Sequence, residues 1–143
     1  MSNDTVKLLK ECDSGIKMAI SSIEEILEHT KDENLFSLLS ECRNEHIRLK
    51  MEVEALLKNL GEDEKEPNPM AKGMSWVKIN IKMAMDNEDK SVADLITDGC
   101  NMRVKSLNKY LNKYENADEK SRNIANKLIA IEKKLTETVV VYL

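Results

Sequence analysis

Apolar residues recur along this chain at alternating steps of three and four. Leu9, Cys12, Ile16, Ala19/Ile20, Ile23 and Ile26/Leu27 form one stripe. That spacing predicts an amphipathic helix over residues 4–29, with Asn3 or Asp4 as its N-cap. A second stripe, Leu35, Leu39, Cys42, His46, Leu49, Val53, Leu56 and Leu60, repeats as four heptads over residues 33–60. Asp32 stands where its N-cap is needed, and Gly61 where a left-handed residue ends a helix. The break at 30–32 is short, so the two helices predict an antiparallel hairpin.

Residues 61–69 are acidic and aperiodic. Pro69 after Asn68 reads as N1 after an N-cap, opening a short crossover helix over 70–86 with Met70, Met74, Val77, Ile81 and Ala84/Met85 on one face. A second hairpin follows. Its first helix, 91–114, carries Val92, Leu95/Ile96, Gly99, Met102, Ser106/Leu107, Tyr110 and Tyr114; its second, 119–142, carries Ile124, Leu128, Ile131, Leu135, Thr138/Val139 and Tyr142. The tight turn is 115–118. Hairpin (4–60), long connection (61–87) and hairpin (90–142) predict a single all-α domain over 1–143, a four-helix bundle. A connection of that length lets helix two and the first helix of the second hairpin run in the same direction, the single-crossover topology of ferritin-like bundles.

Composition agrees. Of 143 residues only four are Gly and two Pro, while 34% are charged. Aromatics at 3% exclude a stacking platform for single-stranded nucleic acid. A net charge of −4 argues against a general nucleic-acid partner. The charge is uneven: residues 1–67 hold 9 Lys/Arg and 16 Asp/Glu, residues 68–143 hold 13 and 10. Lys105, Lys109 and Lys113 form a cationic row that reads as a solvated face. No apolar run is long enough to span a membrane, and the first residues carry no secretory pattern. Cys12, Cys42 and Cys100 are odd in number and lack a CxxC. They predict free thiols in a reducing, cytoplasmic setting.

Chemistry would sit where polar residues fall on a buried stripe. With the first hairpin folding about residue 31, Asp13 and His46 come within about 4.5 Å of the same level, and a buried Asp13–His46 contact is expected. A di-metal bundle site needs a Glu from each of two helices and Glu-x-x-His from the other two. Here Arg43 stands three before His46, Ile26 three before His29, and Leu135 three after Glu132. For such a site Asp13, His46, Asp98 and Glu132 are the candidate ligands, one per helix. Cys42 and His46, four apart, invite a soft-metal reading, and Met70/Met74 and Met83/Met85 a copper one. Core packing is the expected role of all three pairs. The expectation is therefore no metal, no cofactor and no catalytic residue, with a centre closed by apolar side chains and Arg43 paired to a carboxylate.

Several stretches resemble a bacterial domain-of-unknown-function branch of the ferritin-like superfamily. Leu8-Leu9-Lys10-Glu11-Cys12-Asp13-Ser14-Gly15 is similar to its opening helix. Glu45-His46-Ile47-Arg48-Leu49 and Leu57-Lys58-Asn59-Leu60-Gly61 are similar to its second helix and stop. Gly73-Met74-Ser75-Trp76-Val77-Lys78 is similar to its crossover helix, and Asp98-Gly99-Cys100 to its fourth-helix Gly-Glu site with the Glu replaced. The resemblance implies a ferritin-like bundle. It does not carry iron chemistry across, because Arg43, Cys100 and Leu135 stand where metal-binding relatives have carboxylates and histidines.

Three functions compete. The first is a non-enzymatic cytosolic bundle that acts through a homodimer or another protein. The second is a metal-binding or redox protein of a stress response. The third is a stress protein that binds an anionic ligand or associates with nucleic acid. Val140 and Val141 should fall off the seam of the last helix, and an exposed apolar patch there predicts an interface.

Overall fold

A computed structural model describes residues 3–63 and 88–143. It contains α1 (Asn3–Leu27), α2 (Glu33–Asn59), α3 (Glu88–Lys113), α4 (Glu119–Val139) and a closing 3-10 turn, Val140–Tyr142. Among the described residues there is no strand. The crossover helix expected over 70–86, with Trp76 and the methionine pairs, lies outside the described residues.

Local chemistry sets the ends. The Asp32 carboxylate accepts from the Leu35 amide at 2.9 Å and opens α2; Asp118 accepts from Ser121 at 2.8 Å and opens α4. Gly61 has φ +73°, and the Gly61 and Glu62 amides donate back to Lys58 and Leu57. That is the Schellman termination expected of Gly61. α3 is closed from outside: Nη1 of Arg122 donates to the carbonyls of Leu111 and Tyr114.

The helices form two antiparallel hairpins, α1–α2 and α3–α4, clamped to each other at both ends. At one end the Asp89 carboxylate, in the first turn of α3, accepts from the Lys31 and Asp32 amides of the α1–α2 loop. At the other, Asp4 and Thr5 in the first turn of α1 accept from the Asn116 and Asp118 amides of the α3–α4 loop. The start of α3 thus lies beside the start of α2. The two helices therefore run in the same direction, and α2 ends at the opposite end of the bundle from where α3 begins.

The hairpins repeat one pattern. Counted from their N-caps, buried positions 35, 39, 42, 46, 49 and 53 of α2 coincide with 121, 125, 128, 132, 135 and 139 of α4. The first helices match too. Buried Leu8, Leu9, Cys12, Ile16, Ile23 and Leu27 of α1 correspond to Val92, Ala93, Ile96, Cys100, Leu107 and Leu111 of α3. The sequence reading had part of the α3 half: Val92, Leu95/Ile96 and Leu107 of its stripe are buried. It also placed Gly99, Met102, Tyr110 and Tyr114 on the seam, whereas Met102 is 62% exposed and the buried positions there are Cys100 and Leu111. The weak apolar pattern between 97 and 106 allowed a one-residue misreading of helix phase, which turns side chains through about 100°.

Two apolar clusters make the core. One gathers Ile23, Ile26, Leu35, Leu39, Val92, Ile96 and Val139 near the Asp89 clamp; the other gathers Leu8, Leu9, Ile16, Leu49, Val53, Leu107 and Ile124 near the Thr5 clamp. Burying each Leu or Ile contributes about 1.5–3 kcal/mol. Between the clusters α1 offers Ala19, buried but in neither. The same level of the other three helices is not apolar.

Candidate functional site

His46 of α2, Arg103 of α3 and Glu132 of α4 fill that level. His46 and Glu132 are each 1% exposed. The expected apolar closure is corrected: the bundle centre is a layer of charge. Its positions follow from the repeat, since His46 and Glu132 stand equally far beyond their N-caps (32 to 46, 118 to 132). Arg103 is the α3 counterpart of Ala19.

Both ring nitrogens of His46 are engaged. Nδ1 lies 2.8 Å from the Cys42 carbonyl oxygen, which can only accept, so Nδ1 carries a proton. Nε2 lies 2.9 Å from Oε1 of Glu132. One further proton is shared in that contact, and Arg103 decides where it rests. Its Nε stands 3.0 Å from Oε2 of the same carboxylate. The guanidinium favours ionised Glu132, so the proton stays on His46 and the ring is an imidazolium. The Arg103 N–H does not point along its contact with Oε2, so this pair is held by charge rather than by a directed hydrogen bond. Desolvation by itself would lower the His46 pKa. Hydrogen bonding toward Cys42 and the Glu132 carboxylate overcome it and raise the ring to about 10. Burial likewise works against ionised Glu132, but the His46 hydrogen bond and the Arg103 charge hold its pKa below the usual value.

Glycine shapes the third member. A Cβ at Gly99 would meet Nη1 of Arg103 at 3.3 Å, because the guanidinium folds back over the bare backbone one turn earlier. Nη2 donates to the Cys100 sulfur at 3.6 Å. Burial, helped by the Glu132 charge, pushes the Cys100 thiol well above its ordinary value, and burial raises Cys12 to about 12. The three thiols are free and buried. Cys42 lies 3.6 Å from Nδ1 of His46, the spacing of a nucleophile and its base. That nitrogen already gives its proton to the Cys42 carbonyl, so it has no lone pair with which to activate the thiol.

The other sequence candidates lie elsewhere. Asp13 is fully buried on α1, but it pairs with Lys17 one turn on, at 3.0 Å. The expected Asp13–His46 contact is therefore corrected: Asp13 sits beyond Ile16, on the Thr5 side of the layer, and His46 turns to Glu132 of the other hairpin. Asp98 is exposed. Arg43 makes no ion pair to a carboxylate among the described residues, and its Nε is buried without a hydrogen-bond partner there. Arg103 was missed. The signal available was its step of three after Cys100 and four before Leu107, which puts it on the buried face.

The layer does not fit the metal centre of a ferritin-like bundle. Both His46 nitrogens carry protons, both Glu132 oxygens face cations, and Arg103 would repel a metal ion. Among the described residues no three His, Cys, Asp or Glu side chains are grouped to hold one. Nor is any described helix long and apolar enough to cross a membrane.

No protein-family model and no curated protein matches the chain. Among solved structures, the crystal structure of a DUF305 fragment from Deinococcus radiodurans is similar, with a TM-score of 0.75 over 96% of this chain and 93% of that one. Identity is 14%, so the likeness is one of fold: an all-helical chain shaped like a bacterial domain of unknown function.

Proposed function

We propose that this protein is a non-enzymatic cytoplasmic bundle of ferritin-like type that acts by associating with a second copy of itself. The observation that carries the reading is apolar surface at one end of the bundle. Val140 and Val141 are 57% and 82% exposed, Leu143 is half exposed, and Phe36, one turn into α2, is exposed as well. Tyr142, between them, is anchored by its hydroxyl donating to Asp32 at 2.9 Å, which holds this turn against the start of α2. Contiguous apolar surface on a small protein marks an interface. The interior supports the same reading by contrast, because its thiols, imidazole and carboxylate are sealed and mutually engaged. The ferritin-like assignment rests on the parallel α2 and α3 and the long connection between them. The buried free thiols suit a reducing compartment, and the bacterial origin of the similar structure suits a bacterial protein. Sedimentation equilibrium tests the proposal. The wild type should dimerise, and Val141→Lys should weaken the dimer at least about tenfold, the effect of placing one charge worth ~1.4 kcal/mol or more in the interface. A wild type that stays monomeric up to millimolar concentration overturns it.

A further inference from the structure

We propose that the buried charge layer selects which hairpin packs on which, so that the two hairpins of one chain close on each other instead of pairing with their own kind in a second copy of the chain. The need for selection comes from the repeat. α2 and α4 bury the same six positions counted from Asp32 and Asp118, and α1 and α3 match over six more. Two chains therefore carry four hairpins of nearly interchangeable backbone, each pair joined through residues 60–87. Exchange of equivalent elements between chains is a low-cost route to unwanted dimers.

The end clamps do not discriminate. Each is a first-turn oxygen acceptor of one hairpin, Asp89 or Asp4 and Thr5, on loop amides of the other. The layer does discriminate. In the observed pairing His46 meets Glu132, and Arg103 flanks the same carboxylate. Two first hairpins packed together would bring two His46 rings to a level where α1 offers only Ala19, with no carboxylate. Two second hairpins would keep their Arg103–Glu132 pairs. Exchange between two correct bundles thus loses both His46–Glu132 contacts and leaves two buried rings without their anion. Polar residues buried at one level specify partners in coiled coils by the same logic.

Refolding tests this. Wild type and the layer-free variant His46→Leu/Arg103→Met/Glu132→Leu are compared, each carrying Val141→Lys so that association through the apolar end does not enter. Both are refolded from guanidinium at high protein concentration, diluted, and sized by chromatography with light scattering. The wild-type layer should give one species. The layer-free protein should keep its helicity and give at least about tenfold more of a two-chain species that survives dilution, since each lost pair exceeds the ~1.4 kcal/mol of a tenfold ratio. Should the triple variant not fold, Glu132→Gln, which keeps the shape and removes the charge, gives the same readout. A single species, as in the wild type, from whichever variant folds overturns the proposal. Failure of the Val141→Lys dimer test would leave this result unaffected.

Discussion

Removing the Glu132 carboxylate alone should destabilise the bundle more than removing the whole layer. In Glu132→Leu, His46 loses the acceptor 2.9 Å from Nε2, and Arg103 loses the one 3.0 Å from Nε. His46 can shed its proton. Arg103 cannot, and its side chain is 26% exposed, which leaves it partly solvated. Breaking a buried pair from one side costs about 3–5 kcal/mol, while replacing all its members by apolar groups is often neutral. Against a total of about 5–15 kcal/mol for a domain, the single change consumes a large share. At about 2–4 °C per kcal/mol the melting temperature should fall by roughly 6–20 °C. Guanidinium unfolding followed by far-UV circular dichroism measures both quantities. His46→Leu/Arg103→Met/Glu132→Leu should recover to within about 1 kcal/mol of wild type or exceed it. A single Glu132→Leu variant within about 1 kcal/mol of wild type would refute the picture of one buried carboxylate holding both His46 and Arg103.

Two further outcomes follow from the same geometry. His46 titrates higher folded than unfolded, so its contribution is complete below about pH 6.5 and is lost as pH rises toward about 10. Between about pH 6.5 and 7.5, below the range in which unfolded thiols ionise, unfolding free energy should fall by about 1 kcal/mol per pH unit; His46→Gln should flatten that slope, and an unchanged slope in the variant would assign it elsewhere. Glycines should split by backbone: Gly15→Ala, in open helix surface, should stabilise by about 0.5–1 kcal/mol, whereas Gly61→Ala, at φ +73°, should destabilise by about 1 kcal/mol. Equal signs in thermal melts would contradict the assignment.

Much of the fold was legible because capping and periodicity are local. Asp32, Gly61 and the break before α2 are read from neighbours within four residues; Asp32 and Gly61 stand where the spacing put them, and the break opens two residues earlier, after Leu27. The second hairpin was read less well. Between 97 and 106 the one buried residue is Cys100, with the half-buried Arg103 a turn on, and periodicity has no reason to score a cation as core. Of the layer, His46 was visible as a polar residue on an apolar seam, and Glu132 as a carboxylate on the last helix. What joined them was invisible to a reading of one hairpin at a time. The expected partner of His46 was sought on α1, its neighbour in sequence, but its charge is answered across the bundle. Counting both residues from Asp32 and Asp118 would have aligned them. Val140 and Val141 were read correctly because the seam steps from Val139 to Tyr142, which leaves the two residues between them on the outer side.

The crosswise clamps have a kinetic consequence. Each hairpin packs mostly against itself through contacts close in sequence, which form early and fast. Its loop, however, has amides that find their acceptors only on the opposite hairpin: Lys31 and Asp32 wait for Asp89, Asn116 and Asp118 for Asp4 and Thr5. Neither turn is complete until docking, and docking satisfies both at once. The rate-limiting barrier should therefore lie at hairpin assembly, with core residues inside each hairpin structured in the transition state and the two turns still open. Asp89→Ala and Thr5→Ala would then speed unfolding and leave the folding rate nearly unchanged, which stopped-flow chevrons on the full chain would register as low φ at both ends of the molecule.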